Sequence, residues 1–100
     1  MSAAARNKGI RYQRFIRGWF AENGFDPLAR PGGEDGDDLR LLGMPWFSIE
    51  LKGQSRMRLA EWFNQATEQA GDKIPILIWK RTGKAQAADQ WVQMDLQGFT

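Results

Sequence analysis

Glu50-Leu51-Lys52 sets a carboxylate and an ammonium two residues apart inside an apolar run, Trp46 to Lys52. In an extended strand alternate side chains share a face, so Glu50 and Lys52 point the same way, about 6.5–7 Å apart along the chain. Asp37 and Asp38 stand just ahead of a shorter apolar run ending at Leu42, and Gly43-Met44-Pro45 supplies a turn between the two runs. Such a hairpin brings Asp38 beside Glu50. Two or three carboxylate oxygens, a backbone carbonyl and waters make a shell suited to Mg²⁺ or Mn²⁺. An ion held there can polarise a phosphoryl oxygen, lower the pKa of a bound water and neutralise charge on a leaving oxygen. Lys52 would hold or help activate the attacking water, or stabilise charge building on phosphorus. The plainer alternative is an antiparallel strand with one wet face, on which Glu-x-Lys arises by chance.

The composition narrows the chemistry. The chain has no Cys and no His. That excludes disulfides, thiolate nucleophiles, His-based triads and the usual zinc sites, and leaves oxygen ligands for any metal. A chain of 100 residues with 42% hydrophobic residues, five Trp and six Phe is expected to fold as a single domain. At this size folding buries roughly 60–65% of the unfolded chain's surface. No run has the roughly 20 apolar residues of a membrane span, and the N-terminus lacks a secretory h-region, so a cytoplasmic protein is expected. The net charge is only +2, but it is segregated. Arg6, Lys8, Arg11, Arg14 and Arg17 precede any acid, whereas residues 22–38 hold six acids against Arg30. A basic segment beside an acidic loop suggests a polyanion partner and a cation site; solvated surface is the alternative.

The elements that must position these groups can be read from periodicity. Ile10 to Asn23 is expected to be a helix behind a basic arm, residues 1–8. Tyr12, Phe15, Ile16, Trp19 and Phe20 form its apolar stripe, read as core, and Asn23-Gly24 is its stop. Phe25 to Arg30 reads as a short strand and Pro31 to Gly36 as a loop. Asp38 to Leu42 and Trp46 to Lys52 are the hairpin. Met57 to Ala70 reads as a second helix with Leu59, Phe63, Ala66 and Ala70 inward, closed by Gly71. Ile74 to Trp79 is a strand buried on both faces, Arg81 to Ala88 a polar loop, and Trp91 to Leu96 an edge strand. The fold class is α/β (α+β), a mixed central sheet flanked by helices in the order αβββαββ.

This arrangement resembles the PD-(D/E)xK nuclease superfamily, and within it the small Holliday junction resolvase-like nucleases, including those encoded by phages. The resemblance runs over roughly residues 6 to 95. It rests on Asn7-Lys8-Gly9 ahead of an aromatic-striped helix, Asn23-Gly24-Phe25, Gly36-Asp37-Asp38-Leu39, Ile49-Glu50-Leu51-Lys52, Gln65-Ala66 and the Pro-led strand from Pro75. It implies a restriction-endonuclease-like αβββαβ core and a metal-dependent endonuclease acting on DNA, branched DNA above all. In that family's terms Asp38, with Asp37 as runner-up, and Glu50 hold the metal together with the backbone carbonyl of Leu51, and Lys52 is the catalytic lysine. The family's helix-borne Glu falls on Gln13, which orients a water but brings no charge. The departure leaves the number of metals open. A two-fold homodimer is implied as well, since a junction needs two symmetric cuts, and no organic cofactor.

The residues suggest how DNA would be held. Arg11, Arg14 and Arg17 recur every three positions on the first helix, away from the aromatic stripe, with Arg6 and Lys8 before them. Arg56 and Arg58 follow the Glu-x-Lys strand, and Gln54 continues its polar face or is an ordinary turn residue. Contacts of this kind give affinity and salt dependence with little reading of sequence. Trp46, Trp62 and Trp91 are interface candidates for which core is the default. A nuclease of the same fold acting on nicks, flaps or ends, and a catalytically weak DNA-binding module, are the alternative functions.

Overall fold

The computed structural model of the protein describes residues 3–29, 38–54 and 56–100, with side chains from Arg6 onward except Ala29. The first helix, α1, runs Ala3–Glu22. It starts earlier than the aromatic stripe suggests, because the alanines ahead of Arg6 are the strongest helix formers and nothing there breaks a helix. Arg6 and Lys8, expected on an arm, are therefore on the helix. The Asn23 side chain donates to the Trp19 carbonyl at 2.8 Å, and Gly24, at φ 85°, turns the chain away. Tyr12 and Ile16 are buried, but Phe15 is 41% exposed, which corrects its assignment to the core. At about 100° per residue Phe15 falls to one side of the Tyr12–Ile16 line, at the margin of the stripe.

Strands β1 (Pro27–Ala29), β2 (Leu39–Leu41), β3 (Phe47–Lys52), β4 (Ile74–Trp79) and β5 (Trp91–Gln93) form one sheet in sequence order. β1, β2 and β3 are antiparallel neighbours; β3 and β4 are parallel; β5 closes the edge antiparallel to β4. Parallel neighbours need a crossover, supplied by α2, Leu59–Ala70. Gly71, at φ 61°, ends it in the conformation only Gly adopts freely. The sheet is thus mixed and flanked by helices, as the residue pattern suggests.

The two faces of the sheet are both covered. Leu39, Leu41, Ile49, Leu51, Ile76 and Ile78 form one core with Tyr12 and Ile16 of α1. The alternate residues face α2, where Leu77 is fully buried and Trp62 meets Trp79 with ring centroids 6.2 Å apart. Trp62, at 3% exposed, is the anchor of α2 together with Ala66 and Ala70, and is no candidate for an interface; Leu59 and Phe63 are only half-buried. The wet face that the plainer alternative gives β3 is not there: Ser48 and Glu50 are each 3% exposed. β3 is a central strand, and α2 returns across the face that a lone hairpin would leave in water.

The last expected strand stops at Gln93. Asp95 then caps a short helix, α3 (Leu96–Phe99), by accepting from the Gly98 amide at 2.7 Å. Trp46 and Trp91 are exposed, at 52% and 42%. Among the described residues no helix is long and apolar enough to cross a membrane.

Candidate active site

The pairing Leu39↔Ile49 sets the hairpin, and Asp38 stands one residue ahead of it. The Asp38 amide donates to the Ile49 carbonyl at 2.9 Å, and its Oδ2 accepts from the Leu51 amide, also at 2.9 Å. The side chain thus continues the ladder one step past β2. A carboxylate has about four acceptor positions, so this bond leaves room for an ion.

Glu50 is buried beneath α2 on β3, paired in register with Leu77 of β4. Lys52 is half-buried on the same face, opposite Trp79, and its carbonyl accepts from the Lys80 amide at 3.0 Å. The Leu51 carbonyl turns toward the β2 flank. The N–H and C=O of one strand residue point to the same side, and the Leu51 N–H is bonded to Asp38. Asp38, Glu50 and this carbonyl therefore lie around one end of the hairpin.

Gln13 reaches the same place from α1. Its amide nitrogen donates to the backbone carbonyl of Asp38 at 2.8 Å. Gln13 thus positions the aspartate, a role that a glutamate could not fill while ionised, because a carboxylate has no proton to donate. Asp37 lies outside the described residues, as does the loop Pro31 to Gly36.

Among the described residues no three His, Cys, Asp or Glu side chains form a cluster that could hold a metal. Mg²⁺ takes one or two carboxylates and keeps several waters or substrate oxygens. Asp38, Glu50 and the Leu51 carbonyl are the oxygens the hairpin would offer such an ion.

The basic residues divide. Arg6, Arg11, Arg14, Arg17, Arg56 and Arg58 are exposed, as is Gln54, while Lys8 is half-buried. Arg58 pairs with Glu61 at 3.4 Å, an exposed contact worth about 0–1 kcal/mol. Lys8 and Arg11 converge on a groove of about 360 Å³ that also takes in Tyr12, Phe15, Gly53, Lys80, Lys84, Ala85 and Gln90. Lys80 and Lys84 went unread in the sequence, although Lys80-Arg81-Thr82-Gly83-Lys84 carries three cations in five residues. The groove is on the α1 side of the sheet, whereas Glu50 and Lys52 face α2; the two meet at the Lys52–Gly53 end of β3.

Compared with protein-family models, curated proteins and solved structures, the chain matches none.

Proposed function

We propose that the protein is a metal-dependent DNA endonuclease of restriction-endonuclease-like fold, hydrolysing phosphodiesters with Asp38, Glu50 and Lys52, and acting on branched DNA of the Holliday junction kind. The observation that carries this reading is the burial of Glu50, 3% exposed on a central strand, flanked by Ile49 and Leu51, whose backbone groups both bond to Asp38. A solvated Glu-x-Lys, the bland alternative, is removed by that burial. A Mg²⁺ or Mn²⁺ ion, when bound, would supply Lewis acidity and a water of lowered pKa. Asp38, Glu50 and the Leu51 carbonyl would hold it. Gln13 fixes the Asp38 backbone, and Lys52 orients a water or steadies charge on the phosphate. Action on a two-fold junction fits a homodimer, with exposed Trp46 and Trp91 available to an interface. Such an enzyme works in the cytoplasm, that of the host if a phage encodes it.

A labelled synthetic four-way junction and its matched linear duplex, each with Mg²⁺, Mn²⁺ or EDTA, test this reading. Wild type should cut the junction symmetrically and only with metal, and Glu50→Gln and Asp38→Asn should each slow it on the order of 100-fold or more. Equal cutting of both DNAs would keep the site and remove junction specificity. Cutting in EDTA, or at full rate by Glu50→Gln, would sink the site. The second reading, a module that binds DNA and barely cuts it, is favoured by Gln13, which spends its amide on the Asp38 backbone and adds no charge. Salt-sensitive binding without any cutting would select it.

A further inference from the structure

The groove beside α1 is built as a site of its own. Lys8, Arg11, Lys80 and Lys84 line it, and among the described residues no acid does. Its wall is held by one residue, Gln90. The Gln90 Oε1 accepts from the Tyr12 hydroxyl at 3.0 Å and from the Arg81 amide at 3.2 Å. Its Nε2 donates to the carbonyls of Lys84 and Gln86, both at 3.0 Å. All four hydrogen-bonding positions of the amide are used, so the segment from Lys80 to Gln90 is clipped to α1 and its lysines are presented in place. The aromatic side comes from Phe15, 41% exposed, with its ring centroid 6.2 Å from that of Tyr12. An exposed aromatic beside several cations offers a base a stacking surface and a phosphate its counter-charge. The volume, about 360 Å³, lies at the small end of ligand pockets, which suits a single nucleotide and not a duplex. Paired bases in a duplex show only their edges, so an aromatic face of this size reads unpaired ones.

We propose that this groove seats a nucleotide of an unpaired DNA strand next to the nuclease site, with its phosphate against Lys80, Lys84 and Arg11 and its base against Phe15. The choice of DNA rests on the nuclease reading; the groove's chemistry does not. An unpaired strand occurs where duplex arms meet or fray, so the groove would favour branched over linear DNA.

The test is fluorescence anisotropy with a labelled oligothymidylate and a labelled linear duplex, both in EDTA so that cutting plays no part. Lys80→Ala/Lys84→Ala should weaken single-strand binding about tenfold or more and lower its log–log salt slope by about 0.7, one phosphate contact's worth. Phe15→Ala should weaken it about fivefold or more with the salt slope unchanged. Circular dichroism of each variant shows whether the fold is kept. Unchanged single-strand binding in both folded variants would overturn the proposal, and so would a larger loss for duplex than for single strand. Tighter binding of the matching RNA oligomer would overturn the assignment to DNA. If wild type cuts nothing while the groove variants still lose single-strand binding, the nuclease reading falls and the groove stands.

Discussion

Gln13 shows how much one side chain can decide. Its amide holds the Asp38 carbonyl across 25 residues of chain. Gln13→Glu would set a carboxylate against that carbonyl, two acceptors with no proton between them. The variant should lose about 1–3 kcal/mol of stability at neutral pH, measured by urea unfolding. The deficit relative to wild type should shrink as pH falls through the ordinary Glu range, about 4, because a protonated Glu can donate again. The hairpin that carries the candidate carboxylates was legible in the sequence because strand alternation and a short turn mark its two strands. The Gln13 bond was not, since its partner is a backbone carbonyl with no residue-specific signal. The burial of Glu50 was also hidden: it depends on α2 crossing over β3, which the local pattern of β3 does not encode.

At the scale of elements, the joint between α1 and β3 is the tightest contact of the described glycines. A Cβ on Gly53 would stand 2.5 Å from the Tyr12 Cβ and 2.6 Å from its Cγ. Both atoms are close to the helix backbone, so neither can swing aside, and α1 would have to move. Gly53→Ala should therefore cost about 1–3 kcal/mol. In a domain of this size that lowers the melting temperature by roughly 4–8 °C for each kcal/mol, which calorimetry would read directly. Every strand and both long helices could be anticipated from period and punctuation. Boundaries drifted where a signal was shared: Ala3 to Lys8 joined the helix, and the last strand gave way to the Asp95 cap. The groove was not anticipated, because Lys8, Arg11, Lys80 and Lys84 are brought together by tertiary packing alone.

The molecule as a whole is closed by the hydrogen bond from Tyr12 to Gln90, which spans 78 residues. Burial pushes the Tyr12 hydroxyl above its ordinary pKa. The unfolded chain then loses this proton first, near pH 10, while the folded chain keeps it. The contribution to stability is full below about pH 10 and falls as pH rises above it. Tyr12→Phe should abolish that part of the alkaline fall, seen as a smaller difference in urea midpoint between pH 8 and about pH 11. Tyr12 is the one tyrosine of the chain, so its absorbance reports the titration without overlap from another.

The same long-range clasp has a consequence for synthesis. The hairpin carrying Asp38 and Glu50 closes between neighbours in sequence, so it can form before the segments that follow it are made. The wall of the groove needs Gln90, which is added well after Glu50. Contacts so far apart in sequence also form late in folding. A growing chain can therefore close the hairpin before it can close the groove.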